Sequence, residues 1–454
     1  MRLRLIIYLF LLPAAALAQK AMTASIDYLL RDELMNVVDA SVMVYDLDDD
    51  TLLYAYRPHK LVRPASVQKI ITSVVALERL GCDYTIDTEL FIEEKSDGTN
   101  LYVKGRMDPL LGVEEIVQLA AALPPGCVVD TLFADCSFTD SLYWGSGWVW
   151  DDNPYGFQPY LSPLMVCGGA VEVVVSPSSK GKAPRYAVSP ASSFYSVVNE
   201  AKCNEPLLGE LTVLRDWLED SNVIRIRGNC TKRYKEKINM YKSADFFLAL
   251  LAEKLDSMGV GVGAVSFGRV PDDAVGIHTV RRPVADVVEE ALMESDNLCA
   301  EALVYHLAAI GGEASLSMDD GCEVVRSFLR EQLGVDGEFS VADGSGLSVY
   351  NYISADMLMR TLRYAYEDST LSDAFYCRLP LSGVSGTMKN RTKDGCAYKK
   401  VRAKTGTVKG VCTLAGYARA ANGHQCAFVI LNNGLQKASV VRRWQDRVLE
   451  AICR

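Results

Sequence analysis

Between residues 85 and 275 the chain changes texture, and this interruption restricts its architecture more than any other feature. Short β-like runs, among them Glu89-Leu90-Phe91-Ile92, Leu101-Tyr102-Val103, the residues 171–175 and Val223-Ile224-Arg225-Ile226, alternate there with Pro, Gly, Ser and Asn clusters, the pattern of strands closed by turns. Ahead of it, residues 41–46 and 52–56 flank the acidic turn Asp48-Asp49-Asp50 and read as a hairpin. Apolar residues then fall at 67, 70, 71, 74 and 75, the series of an amphipathic helix that should run to about Leu80 and stop at Gly81. Behind it come helical patterns at 298–307 and 356–366, then two apolar strands at 412–417 and 426–431 around the turn Asn422-Gly423. An amphipathic helix over 439–453 closes the chain and should pack on those strands. The expectation is an α+β domain built from residues 19–84 and 276–454, with 85–275 nested inside it.

At 454 residues the chain exceeds the usual size of one domain, and 49% apolar with 23% charged residues is a globular composition. Arg2 and Arg4 precede the apolar run Leu5 to Leu12, and Ala16-Leu17-Ala18 supplies small residues for cleavage, so residues 1–18 read as an export signal. Residue 19 is Gln, so no lipid anchor is indicated, and membrane contact should be peripheral at most. The net charge of −10 argues against unspecific nucleic-acid binding. Thirteen cysteines with scattered spacing give no framework that can be paired, and their odd number leaves at least one unpaired within the chain. His59, His278, His306 and His424 lie far apart without H-E-x-x-H spacing, and Gly259, Gly261 and Gly263 follow a helix and miss the G-x-G-x-x-G pattern. Neither a metal nor a cofactor is expected.

Three short motifs carry chemistry. Ser66-Val67-Gln68-Lys69 opens the amphipathic helix, and at about 100° per residue Ser66 and Lys69 share one edge of its buried face. A serine hydroxyl is a poor nucleophile until a base takes its proton, and a lysine can do so only when neutral. That requires moving its pKa down by about three units, roughly 4 kcal/mol, through burial and a neighbouring positive charge. Taken alone, Ser66 reads as a helix N-cap, and the S-x-x-K pattern recurs at Ser179 in a loop-like context. Ser295-Asp296-Asn297 precedes a helix and alone reads as a capping cluster. Lys404-Thr405-Gly406, followed by Thr407, lies on a strand-like run, where Gly406 would let a substrate backbone approach.

In this order the three are the S-x-x-K, S-D-N and K-T-G set of penicillin-binding proteins and serine β-lactamases. Ser66 and Ser295 lie 229 positions apart. With Asp343-Gly344-Ser345-Gly346-Leu347-Ser348, Asp108-Pro109, Trp148-Val149-Trp150-Asp151-Asp152 with Ser162, Gly386-Thr387 with Arg391, and Asn432-Asn433-Gly434, the chain resembles the D-alanyl-D-alanine carboxypeptidase/endopeptidase family, the low-molecular-weight class C penicillin-binding proteins. The resemblance implies a penicillin-binding/β-lactamase-like domain of helices on an antiparallel sheet, with two smaller β-rich domains in the insert. It implies a periplasmic serine D,D-carboxypeptidase acting on peptidoglycan stem peptides, with crosslink endopeptidase action as a second activity and β-lactams as covalent inhibitors.

In that scheme Ser66 is the acylated nucleophile, Lys69 its proton acceptor, and Ser295 the relay to the leaving D-alanine. Asn297 holds the peptide amide, and Lys404 is the second positive charge that keeps Lys69 neutral. Thr405 and Thr407 contact the terminal carboxylate, and the N–H groups of Ser66 and Thr407 form the oxyanion hole. Asp151 and Asp152 resemble an insert segment that brings an acid to the substrate's amine. The chain departs from the pattern at Gly105-Arg106-Met107-Asp108 and at Val349-Tyr350-Asn351 after Ser348. A serine β-lactamase and a non-catalytic wall-binding relative are the competing readings; the first would turn penicillin over, and the second would bind without a covalent adduct.

Overall fold

The computed structural model describes residues 19–454 except 97, 125, 313 and 314, so the leader segment lies outside the described residues. Helices alternate with sheets as expected for an α+β chain, which separates into two compact units. The first holds the described residues up to Cys82, together with Val288–Asp296 and Met318–Arg454.

Its centre is a five-stranded antiparallel sheet. β1 (Asp39–Asp46) and β2 (Thr51–Tyr56) form the expected hairpin, while β3 (Val401–Val408), β4 (Val411–Arg419) and β5 (Gln425–Asn433) come from the far end of the chain. The spatial order is β3-β4-β5-β1-β2, so β1 and β5 pair from Asp39 opposite Asn433 to Asp46 opposite Cys426. β4 and β5 are buried along nearly their whole length, and their almost continuous apolar sequences reflect cover on both faces. On one face, α3 (Ala438–Cys453) lays Trp444, Val448, Leu449 and Ile452 against Leu414, Phe428 and Ile430, as its apolar stripe requires. Trp444 Nε1 donates to Leu29 O at 2.9 Å, tying the N-terminal segment to the same layer.

On the other face, α2 (Ala355–Glu367) receives the buried Tyr417 of β4, whose hydroxyl donates to Leu362 O at 2.8 Å. α1 (Gln68–Leu80) packs beside α2 with ten consecutive residues buried from Gln68 to Leu77, and Gly81 ends it at φ 84°. Burial all round α1 is what allows its first turn to carry a lysine out of contact with water.

The second unit holds Asp83–Val287 and Asn297–Ser317. Here the β-textured insert forms a mixed five-stranded sheet over Thr85–Lys95, Gly98–Gly105, Val128–Asp135, Gly261–Phe267 and Val275–Pro283, and several sheets of two or three strands. The helix Ser243–Ser257 supplies Phe246, Phe247, Leu251 and Leu255 to its core.

Candidate active site

The first unit brings two of the three motifs and the serine of the third together. Ser66 lies in a single 3-10 turn, Ala65–Val67, that runs into α1, and its side chain makes no helix cap. The capping alternative for Ser66 therefore does not describe it, and the hydroxyl is turned to a different partner. Lys69, one turn on and wholly buried, places Nζ 3.1 Å from Ser66 Oγ and 2.9 Å from Ser345 O. The second S-x-x-K pattern, at Ser179, is a loop, with Lys182 N donating to Ser179 O.

β3 is the edge strand of the sheet and carries Lys404, also wholly buried. Lys404 Nζ donates to Ser295 Oγ at 2.7 Å and to Thr405 O at 2.8 Å. Burial, first, and the charge of Lys69, second, push Lys404 well below the ordinary lysine range. The coupling is mutual: two ammonium groups buried near each other cannot both keep a proton cheaply, so one amine stands ready to accept one.

Gly406 explains how the edge strand reaches the nucleophile. A Cβ there would run into Thr413 Oγ1 and stand 2.9 Å from Ser66 N and 3.0 Å from Pro64 O, so only glycine lets β3 lie against the turn at Ser66. Thr413 Oγ1 donates to Pro64 O at 2.6 Å, and Asn433 donates to Arg63 O at 3.1 Å while accepting from Arg63 N at 3.3 Å. These bonds clamp the residues before Ser66 to the sheet. Thr405 is half-buried and Thr407 exposed, and Arg442 of α3 donates from Nη2 to Thr407 Oγ1 at 3.2 Å.

Behind α1 lies the Asp343–Ser348 loop, whose part in the site the motif spacing did not assign. The buried Asp343 carboxylate accepts from Gly346 N at 2.8 Å, Ser348 N at 2.5 Å and Asn351 Nδ2 at 2.7 Å, which fixes the loop so that Ser345 O faces Lys69 and Gly344 O accepts from Thr72 Oγ1 at 2.7 Å. Gly346 has φ 82°, and a Cβ there would collide with Ala65 O. Ala65, immediately before the nucleophile, and Ser295 both hold positive φ, 48° and 66°, a costly conformation for residues with a side chain that clusters at functional sites.

The remaining sequence candidates lie in the second unit. Asn297 begins the helix Asn297–Ala308, and its Nδ2 donates to Phe157 O at 2.8 Å. Asp151 and Asp152 form a 3-10 turn with Trp150, Asp151 exposed and Asp152 half-buried. Asp108, of the departing Gly105–Asp108 run, is buried 3.4 Å from Arg282, and burial raises its pKa to about 6.

A sequence model of the D-Ala-D-Ala carboxypeptidase 3 (S13) family matches residues 22–451. The chain is 30% identical over 438 residues to a D-alanyl-D-alanine carboxypeptidase of Actinomadura sp. (strain R39), covering 90% of this chain and 80% of that protein. It is 26% identical over 412 residues to the D-alanyl-D-alanine carboxypeptidase DacB of Haemophilus influenzae, covering 86% of this chain and 84% of that protein. Its fold is similar to the crystal structure of penicillin binding protein 4 (dacB) from Haemophilus influenzae, with a TM-score of 0.78, 22% identity, and 91% and 96% of the two chains covered.

Proposed function

Because the chain belongs to the D-Ala-D-Ala carboxypeptidase 3 (S13) family, a family of serine peptidases, we propose that Ser66 is the nucleophile and Lys69 the group that takes its proton. The observation that carries this is the 3.1 Å contact between Lys69 Nζ and Ser66 Oγ inside a buried site that also holds Lys404. Neutral Lys69 accepts the hydroxyl proton as Ser66 Oγ attacks the carbonyl between the two D-alanines. The oxygen of the tetrahedral intermediate is held by the backbone N–H groups of Ser66 and Thr407. Removing one such donor typically costs about 10²- to 10³-fold in rate, which is why β3 must touch the start of α1. Ser295, hydrogen-bonded to Lys404, relays a proton to the leaving D-alanine, and water then hydrolyses the Ser66 ester.

The substrate we infer is the peptidoglycan stem peptide. Asn297 holds its amide, Thr405 and Thr407 meet its terminal carboxylate, and Asp151 and Asp152 face an amine of its side chain. The same acylation opens a crosslink, whose D-alanyl bond is chemically the same, so endopeptidase action follows from the same residues. β-Lactams acylate Ser66 as substrate mimics. The periplasm is the compartment this substrate requires, in keeping with the leader pattern; among the described residues no helix is long and apolar enough to cross a membrane.

The test is release of D-alanine from a short peptide ending in D-Ala-D-Ala. Ser66→Ala and Lys69→Ala should each lower kcat by about 10⁴-fold or more, with little change in KM, as for other nucleophile and base deletions. Full activity in Ser66→Ala would overturn the assignment.

A further inference from the structure

A peptidase that removes one terminal residue has to tell a free α-carboxylate from an amide that continues the chain, and a full positive charge discriminates most strongly between them. The motif residues do not provide one. The hydroxyls of Thr405 and Thr407 are neutral. Lys404 is wholly buried, with its ammonium already directed at Ser295 Oγ and Thr405 O.

Arg442 is placed to supply the charge. It stands on the exposed side of α3 and donates from Nη2 to Thr407 Oγ1 at 3.2 Å, at the strand position taken to meet the substrate's terminus. Its backbone is held firmly. Val441 and Trp444 on either side are in the core, Gln445 Nε2 donates to Asn432 Oδ1 and to Cys412 O, both at 3.1 Å, and Arg391 Nη2 donates to Arg442 O at 3.2 Å while pairing with Asp446 at 2.7 Å. A guanidinium carries five donors in a planar fork and stays charged at any pH the enzyme meets. With one donor on Thr407 and the Cys412 thiol as a second neighbour, the rest of the fork is placed to grip a carboxylate that arrives beside that hydroxyl.

We propose that Arg442 reads the substrate's C-terminal carboxylate, acting together with Thr407, and so sets the preference for a free chain end. The proposal rests on the assignment of Ser66 as nucleophile and of Thr407 as a substrate contact.

The experiment compares acylation of Ser66 by benzylpenicillin, which carries a free carboxylate, with acylation by its methyl ester, which does not. Both are followed by mass spectrometry on wild type, Arg442→Ala, Arg442→Lys and Lys409→Ala; Lys409, exposed on the β3–β4 turn, controls for simple loss of surface charge. The acid-to-ester rate ratio should fall about tenfold or more in Arg442→Ala, the scale of one charge-assisted hydrogen bond, recover in part in Arg442→Lys, and hold in Lys409→Ala. A ratio unchanged in Arg442→Ala, or falling equally in Lys409→Ala, would overturn the proposal. A wild type acylated by neither compound would instead remove the Ser66 assignment, and the Arg442 proposal with it.

Discussion

Ser295 Oγ lies 2.7 Å from Lys404 Nζ, and Ser295 reaches that position through a backbone φ of 66°. A serine held in the left-handed region and bonded to a wholly buried amine is a costly arrangement with no evident packing benefit. In the proposed mechanism this serine relays a proton to the leaving group, and the buried amine that holds it has consequences for both activity and stability.

Lys404 should weaken the fold that contains it. Its folded pKa lies below its unfolded value near 10.5, so the unfolded chain binds a proton that the folded one resists. Stability therefore rises with pH between the folded and unfolded values, and part of the cost is still present at pH 7, below 10.5. Lys404→Met should gain about 1 to 3 kcal/mol at pH 7, the scale seen when buried charge gives way to apolar packing. The gain should shrink by pH 10, while acylation falls by at least about 100-fold. Denaturant unfolding at the two pH values checks the first part; a variant less stable than wild type at pH 7 would contradict it.

Gly406→Ala tests the approach of the edge strand to the nucleophile. The added methyl stands 2.9 Å from Ser66 N and presses on Thr413, so β3 must retreat from the turn that holds Ser66. A shift of about 1 Å in such a site costs on the order of 10²-fold in rate. Steady-state kinetics should show this loss in kcat/KM, beyond the roughly 1 to 3 kcal/mol of stability that the overpacking costs, and wild-type kcat/KM would contradict it.

A clip far from the chemistry gives a pH effect of opposite sign to that of Lys404. His424 Nδ1 lies 2.9 Å from Asp46 Oδ2, and that hydrogen bond, opposed in part by burial, raises the histidine pKa above 6.5. The stabilisation is complete below 6.5 and is lost as pH rises through the folded value. The ring is about one third exposed, and solvent screening should keep the effect to about 1 kcal/mol or less. His424→Ala should lower the melting temperature at pH 5.5 and leave it nearly unchanged at pH 9; equal losses at both would contradict the account of this pair.

The elements that position the site were legible because they follow periodicity. The extent of α1, the β1–β2 hairpin, the Lys404 strand and the closing helix follow from apolar spacing in the local sequence, whereas the burial of the polar Gln68, Lys69, Thr72 and Ser73 of α1 does not. Motif spacing likewise pointed to Ser66, Lys69, Ser295 and Lys404. What it could not show was support from distant residues. Ser345 contributes a carbonyl and Asp343 a carboxylate to loop backbone, while Asn433 holds Arg63 across 370 positions, and backbone acceptors leave no mark on residue type. Asp343-Gly344-Ser345-Gly346 and Asn432-Asn433-Gly434 were visible as motifs, yet their tasks appear only once the sheet brings both to the start of α1. Arg442 had no signal at all, because an exposed arginine on an amphipathic helix is the ordinary expectation. Ser66 shows how two local readings compete: a serine at a helix start suggests a cap, and the contact with Lys69 one turn on replaces that role.

The central claim is that Ser66 forms the acyl-enzyme, and the most direct measurement is the intact mass of the mature protein after incubation with benzylpenicillin, beside Ser66→Ala. The expected result is one persistent adduct of a whole drug mass on the wild type, mapped to the peptide containing Ser66, and none on the variant. An adduct that survives in Ser66→Ala, or a wild type that leaves penicillin intact and carries no adduct, would contradict it.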